Sequence, residues 1–166
     1  MKLNLLFWIT YLLLMLSACN ATWVHGVKAI VENESSVPIK IYFFDGGRTS
    51  DSILISPSQT FTYAENAILG GKLEVEDVSI RPDFYNNRYF VRDSVVVVFD
   101  GLYRVTHYWD TIPPAEKPAK FFYYQDNRNF TNHDNFELEV KEKSRQTVDY
   151  IFTYTFTEED YRFAKE

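Results

Sequence analysis

Cysteine is nearly absent from this chain: Cys19 is the only one in 166 residues. An intrachain disulfide and a cysteine-based metal cluster are therefore excluded. Glycine and proline are scarce, at six each, and an excess of basic charge is lacking altogether. Lys plus Arg number 17 against 23 Asp plus Glu, for a formal net charge of −6, which argues against nucleic acid as a partner because phosphate binding needs clustered positive charge. Long apolar runs are missing too. The one candidate, residues 5–16, is interrupted by Thr10 and falls short of the roughly 20 apolar residues of a membrane-spanning helix. No G-x-S-x-G, Walker loop, H-E-x-x-H or dinucleotide fingerprint occurs, so most enzyme classes lose their usual sequence support. The expectation is a protein that is not an enzyme and carries no cofactor and no metal.

What the chain has in abundance is aromatic side chains: 12 Tyr, 14 Phe and 3 Trp, or 17% of its residues. With so little Gly and Pro, that favours half-buried pleated strands over helix or disorder. The N-terminus has a different grammar. Lys2, the apolar run and the small residues Ser17 and Ala18 follow the three-part order of a secretory signal. Leu16-Ser17-Ala18-Cys19 resembles the lipobox of bacterial lipoproteins, which implies cleavage between Ala18 and Cys19 and acylation of Cys19. Lipoproteins of this type carry a diacylglyceryl group and usually an amide-linked acyl chain such as palmitate; one chain alone would hold only marginally. A transmembrane helix, or an ordinary secretory signal with an incidental cysteine, are the competing readings.

These features divide the chain into a signal peptide (1–18), a lipidated N-terminus with a short tether (19–26) and one β-rich domain (27–166). Leaving out residues 1–18, and Lys2 with them, shortens the chain from 166 to 148 residues and lowers the basic count from 17 to 16, so the net charge moves from −6 to −7. That length suits one domain. No Lys or Arg lies between Asn20 and Gly26, so the lipid and not a basic patch must hold the membrane.

Period-two alternation predicts a strand at 27–32 with Val27, Ala29 and Val31 on one face, and a second at 39–44 with Ile39, Ile41 and Phe43 on one face. Short strands at 52–55 and 60–63 flank Ser56-Pro57-Ser58 in the spacing of an antiparallel meander, and another is expected at 72–80 before the Asn86-Asn87 turn. Asp100-Gly101 between two apolar runs is the type I′ hairpin signal. A two-residue loop would set Val98 against Tyr103, Val96 against Val105 and Ser94 against His107, with that side in the core. Phe136, Leu138 and Val140 predict a one-face-buried strand, paired with a second one in which Val148, Tyr150, Phe152, Tyr154 and Phe156 share a face. Thr157 before Glu158-Glu159-Asp160 predicts an N-capped helix. About nine strands with no βαβ rhythm point to an all-β fold, an antiparallel β-sandwich with a short C-terminal helix; an up-and-down β-barrel is the alternative.

Candidate chemistry is thin. Asp126, Asn129, Asn132, His133 and Asp134 crowd one loop, read either as a solvated Asn/Asp-rich turn or as a calcium site. The EF-hand pattern fails, since Arg128 stands third from Asp126 and no Gly follows. Ser94 opposite His107, with Asp93 and Asp110 nearby, invites a hydrolase reading, but neither a strained nucleophile nor an oxyanion hole is visible. Phe121, Phe122, Tyr123 and Tyr124 form a candidate binding surface for an envelope protein or a glycan, with core cover as the structural alternative.

The lipobox, Phe43-Phe44-Asp45-Gly46-Gly47, residues 94–108 and residues 154–164 together resemble small outer-membrane lipoproteins of Bacteroidota-type bacteria. The likeness spans most of the mature chain and brings no known activity with it. Asp51-Ser52-Ile53, Asp93-Ser94-Val95 and Asp110-Thr111-Ile112 also fit the O-glycosylation tripeptide of that lineage, which would modify Ser52, Ser94 and Thr111; strand starts generate the same tripeptides by chance. Asn20-Ala21-Thr22-Trp23 lacks the acidic cluster that such bacteria use for surface export, so the expected location is the outer membrane, facing the periplasm. The expected function is a non-enzymatic binding or structural lipoprotein. Its alternatives are a carrier of small apolar ligands in a barrel, and a hydrolase using Ser94 and His107.

Overall fold

The computed structural model describes residues 22–45, 48–72, 94–109 and 118–166. Among them are nine strands: β1 (Trp23–Asn33), β2 (Ile39–Asp45), β3 (Arg48–Ile55), β4 (Gln59–Gly70), β5 (Ser94–Phe99), β6 (Tyr103–Tyr108), β7 (Phe121–Phe122), β8 (Glu137–Ser144) and β9 (Thr147–Phe156), followed by one helix, α1 (Glu158–Lys165). Sheet I has the order β4-β1-β9-β8 and sheet II the order β3-β2-β5-β6-β7. The two do not close into a barrel, so the chain is an all-β sandwich. The strand expected at 72–80 and the turn at Asn86-Asn87 lie outside the described residues.

The alternation read from the sequence is what joins the sheets. Ala29, Val31, Tyr154 and Phe156 from sheet I meet Ile39, Ile41, Phe43, Val95, Val97, Phe99 and Val105 from sheet II in one buried core. Two features of the topology differ from expectation. Both sheets are mixed and not purely antiparallel, because β1 runs parallel to β9 and β6 runs parallel to β7. Parallel neighbours need a long crossover, and for β1 and β9 the intervening chain builds all of sheet II as well as β4 and β8. Nor is there a meander over 39–63: β3 pairs with β2, but β4 pairs with β1, so Ser56-Pro57-Ser58 hands the chain from one sheet to the other.

Asn33 holds the first two crossings between the sheets. Its side chain is fully buried; Nδ2 donates to Val37 O at 2.9 Å and to Ile55 O at 3.0 Å, while Oδ1 accepts from Ser35 N at 3.0 Å and Ser35 Oγ at 2.6 Å. Its own carbonyl accepts from Ser58 N at 2.7 Å, where Ser58 takes a positive φ of 60°.

The β5–β6 turn has the expected backbone, with φ of 52° at Asp100 and 69° at Gly101 and Leu102 N donating to Phe99 O at 3.0 Å. The ladder, however, pairs Phe99 with Tyr103, Val97 with Val105, Val95 with His107 and Ser94 with Tyr108. Leu102 is left over as an exposed extra residue, 70% accessible. That one-residue offset turns every side chain of β5 over. The core takes Val95, Val97 and Phe99 instead of Ser94, Val96 and Val98.

Two further expectations are corrected. Trp23 to Gly26 belongs to β1 and not to a tether. β8 is not buried along one face: Phe136, just before it, is buried, but Val140 is 43% exposed, because β8 is the edge of sheet I and its charged residues face water, as suits an unpaired edge. β9 and α1 are as expected. Asp160 closes the capping box with Thr157, its Oδ2 accepting from Thr157 N at 2.8 Å and Thr157 Oγ1 at 3.0 Å. On the outer face of sheet I, Asp149 lies over Gly26, where a Cβ would run into Asp149 Oδ1.

Three substitutions at two positions test this framework by urea melts of the full chain. Asn33→Ala orphans buried carbonyls at both crossings and should cost on the order of 3 kcal/mol; a loss under about 1 kcal/mol would mean the crossings are held otherwise. Gly101→Val should cost about 1 to 3 kcal/mol, because a β-branched residue resists positive φ, whereas Gly101→Asn should be much milder. Equal midpoints for the two would contradict the turn.

Candidate functional site

Residues 118–136 fold against the β6 edge and α1, and here the aromatic candidates are placed. All four are half-buried. Phe122 stacks on Phe163 of α1 at 4.9 Å between centroids and lies 5.2 Å from His107, whereas Phe121 packs on Tyr108 at 6.2 Å and on Tyr123 at 5.1 Å. Tyr124 lies 5.8 Å from Trp109. Phe122 thus covers the sandwich end, while its neighbours line the other side of the short strand.

The Asn/Asp-rich loop spends these side chains on backbone groups, its own and those of the neighbouring strands. Asn129 Nδ2 donates to Tyr108 O at 2.9 Å and Phe122 O at 3.2 Å, and its Oδ1 accepts from Thr131 N and Oγ1, both at 2.7 Å. Asn132 Nδ2 donates to Tyr124 O at 3.0 Å, Asn135 Nδ2 to Asp126 O and Asn129 O at 2.8 Å each, and Asp126 Oδ2 accepts from Tyr123 N at 2.6 Å. Among the described residues no group of three or more His, Cys, Asp or Glu is arranged to hold a metal ion.

Arg128, third in that loop, ties it to α1. Its Nε lies 2.9 Å from Asp160 Oδ1 and a terminal nitrogen 2.5 Å from the same atom. The guanidinium also sits 5.4 Å from the ring centres of both Phe122 and Phe163, and Tyr154 OH donates to the Arg128 carbonyl at 2.7 Å. Asp160 is buried with four hydrogen bonds to its carboxylate, two from Arg128 and two from Thr157, so the ion pair is fully partnered, as a buried charge must be.

Ser94 and His107 are not brought together. Ser94 pairs with Tyr108, and its place in the alternation of β5 sets it on the face away from the core, whereas His107 is buried with Phe122, Phe130 and Phe156 around it. His107 Nδ1 accepts from Phe130 N at 2.9 Å. Burial, seconded by the Arg128 charge, lowers this imidazole from its ordinary 6.5 to about 3, so it is a neutral structural acceptor. Of the glycosylation candidates, Ser52 and Ser94 are half-exposed, and Ser52 N donates to Asp51 Oδ1 at 2.7 Å. Thr111, Ala18 and Cys19 lie outside the described residues.

The opposite end of sheet I holds a second buried group that the sequence reading passed over. Val27, Val148 and Tyr150 form a smaller cluster with Trp23, Ile68, Leu138 and Phe152 against it. Within it His25 is fully buried, its ring 6.2 Å from Trp23 and 5.9 Å from Tyr150 in stacked arrangements. Running the Val27, Ala29, Val31 alternation back by one period was the signal available for it.

No family model, curated protein or solved structure matches this chain. Among the described residues no helix is long and apolar enough to cross a membrane.

The buried His107 makes stability depend on pH. Unfolded, the ring takes a proton near 6.5; folded, it refuses one until about 3. Its contribution is therefore complete above 6.5 and drains away as pH falls toward about 3, at about 1.4 kcal/mol per pH unit. His107→Asn, which keeps an acceptor for Phe130 N, should lose about 2 kcal/mol less than wild type between pH 6.5 and 5 in urea melts. Parallel losses would show that His107 is not the group that resists protonation.

Proposed function

We propose that this chain is a lipid-anchored protein of the bacterial cell envelope, held in the outer membrane facing the periplasm, whose β-sandwich is a non-enzymatic binding or structural module. The observation that carries this reading is Leu16-Ser17-Ala18-Cys19 at the end of an apolar run headed by Lys2. The fold is compatible with it. Only residues 20–22 separate Cys19 from the start of β1 at Trp23, a reach of at most about 14 Å, so an acylated Cys19 would set the Trp23 end of sheet I beside the lipid. Leu69, paired with Val24 at that end, is 69% exposed, a side chain suited to such a boundary. β1 then carries the chain about 35 Å outward to Asn33, opposite Phe156, where α1 closes the far end. The neighbouring aromatics Phe121, Tyr123 and Tyr124 are the surface we assign to an envelope protein or glycan.

The hydrolase alternative loses its support with Ser94 and His107 on different faces, and the barrel carrier loses its container. Metabolic labelling with a clickable fatty acid tests the anchor. Wild type should take up label and Cys19→Ala none, while remaining in the envelope fraction or keeping its signal uncleaved. Equal label on both proteins would sink the proposal.

A further inference from the structure

β8 ends sheet I on one side, and among the described residues no strand pairs with its outer edge. All of its residues except Leu138 are exposed. Val140 belongs to the inward face, opposite Tyr150, yet it is 43% exposed, so the second layer stops short of this edge and leaves room beside it for another strand. Charges on an edge normally keep other strands away. Here their order does something more specific. Lys141 opposes Asp149, which lies on the outer face of sheet I, so alternation puts Glu137, Glu139 and Lys141 on that face, two acids followed by a base. Lys143, at the bulge after Glu142, reaches Asp149 Oδ2 at 2.5 Å and so stays on the same side.

An antiparallel strand that fits this row must present bases to Glu137 and Glu139 and acids to Lys141 and Lys143. β8 itself, turned around, is such a strand. With Val140 opposite its own copy, Glu139 faces Lys141 and Glu137 faces Lys143, each pair made twice by a two-fold axis normal to the sheet. Sliding the strands by two residues sets Glu139 against Glu139 in one direction and Lys141 against Lys141 in the other, and like charges directly opposed are destabilising. A slip of one residue would set the outer face of one copy beside the inner face of the other. Within one chain Glu139 and Lys141 already meet at 2.8 Å, so the pairing closes a square of four alternating charges. We infer that β8 is a self-recognition edge, to which a second copy of this chain adds its own β8 antiparallel, joining two four-stranded sheets into one. The contact is isologous, and its main-chain hydrogen bonds supply the affinity. Two copies standing upright in one membrane, as proposed above, run β8 in the same direction and cannot form it. The pair therefore joins chains not anchored side by side, and it does not rest on the anchored reading.

Sedimentation equilibrium of the full chain in density-matched detergent reads this association. Wild type should pass from monomer to dimer as its concentration rises, and Cys19→Ala should do so equally, which keeps a failure of the anchor apart from a failure of the edge. Glu139→Lys and Lys141→Glu, at side chains 57% and 52% exposed, should each weaken the dimer by about tenfold. An equimolar mixture of these two variants should recover it as a heterodimer, because each supplies the charge that the other lacks. The double variant Glu139→Lys/Lys141→Glu should recover it alone. A wild type that stays monomeric at every concentration would overturn the proposal. So would single variants that dimerise as tightly as wild type, or a mixture that associates no better than its components.

Discussion

One buried amide, Asn33, holds the first two crossings between the sheets. The chain leaves sheet I after β1, builds two strands of sheet II, and returns to sheet I as β4, all between residues 33 and 59. Each crossing breaks a strand and leaves backbone groups facing the interior, where an unmet carbonyl is costly. Asn33 meets both crossings at once, donating to Val37 O and Ile55 O while its oxygen holds Ser35. No apolar residue and no simple hydroxyl could do this, because the site needs two donors and an acceptor from one short side chain.

The other polar constellations follow the same logic. Arg128, Asp160 and Thr157 form a closed charge network that fastens the loop of residues 118–136 to the start of α1. Asn129, Asn132 and Asn135 turn the loop back on itself, and His107 supplies the acceptor for Phe130 N. Residue types that catalysts and metal sites also use are here committed to satisfying backbone groups. At the other end of sheet I, among the described residues, His25 Nδ1 and Asn66 Oδ1 are buried without a hydrogen-bond partner.

The two ends of the molecule therefore differ in kind. The end closed by α1 is fastened by an ion pair and by rings stacked on rings, with Phe122 on Phe163 and Tyr161 on Phe99. The Trp23 end is apolar and stands, in our proposal, beside the lipid that anchors Cys19.

Period-two alternation is a local property, and so the sequence alone located the middle of several strands: Val27, Ala29 and Val31, then Ile39, Ile41 and Phe43, then Val148, Tyr150, Tyr154 and Phe156 bury the face their spacing implies, with Phe152 half-buried. The capped helix after Thr157 was equally legible, because its capping box lies within four consecutive residues. Alternation does not say which strand lies next to which. Only the tertiary structure decided that β4 leaves β3 for β1, that β9 lies parallel to β1, and that β8 is the edge of sheet I among the described residues. Register was also beyond local reading. The turn at Asp100-Gly101 was right, yet one extra residue, Leu102, inverted β5 and parted Ser94 from His107. For the same reason Asn33 carried no sign of its role and His25 fell within the tether expected at 19–26. What each side chain does is set by groups brought to it from elsewhere in the chain, namely Ile55 for Asn33 and Gly71 for His25.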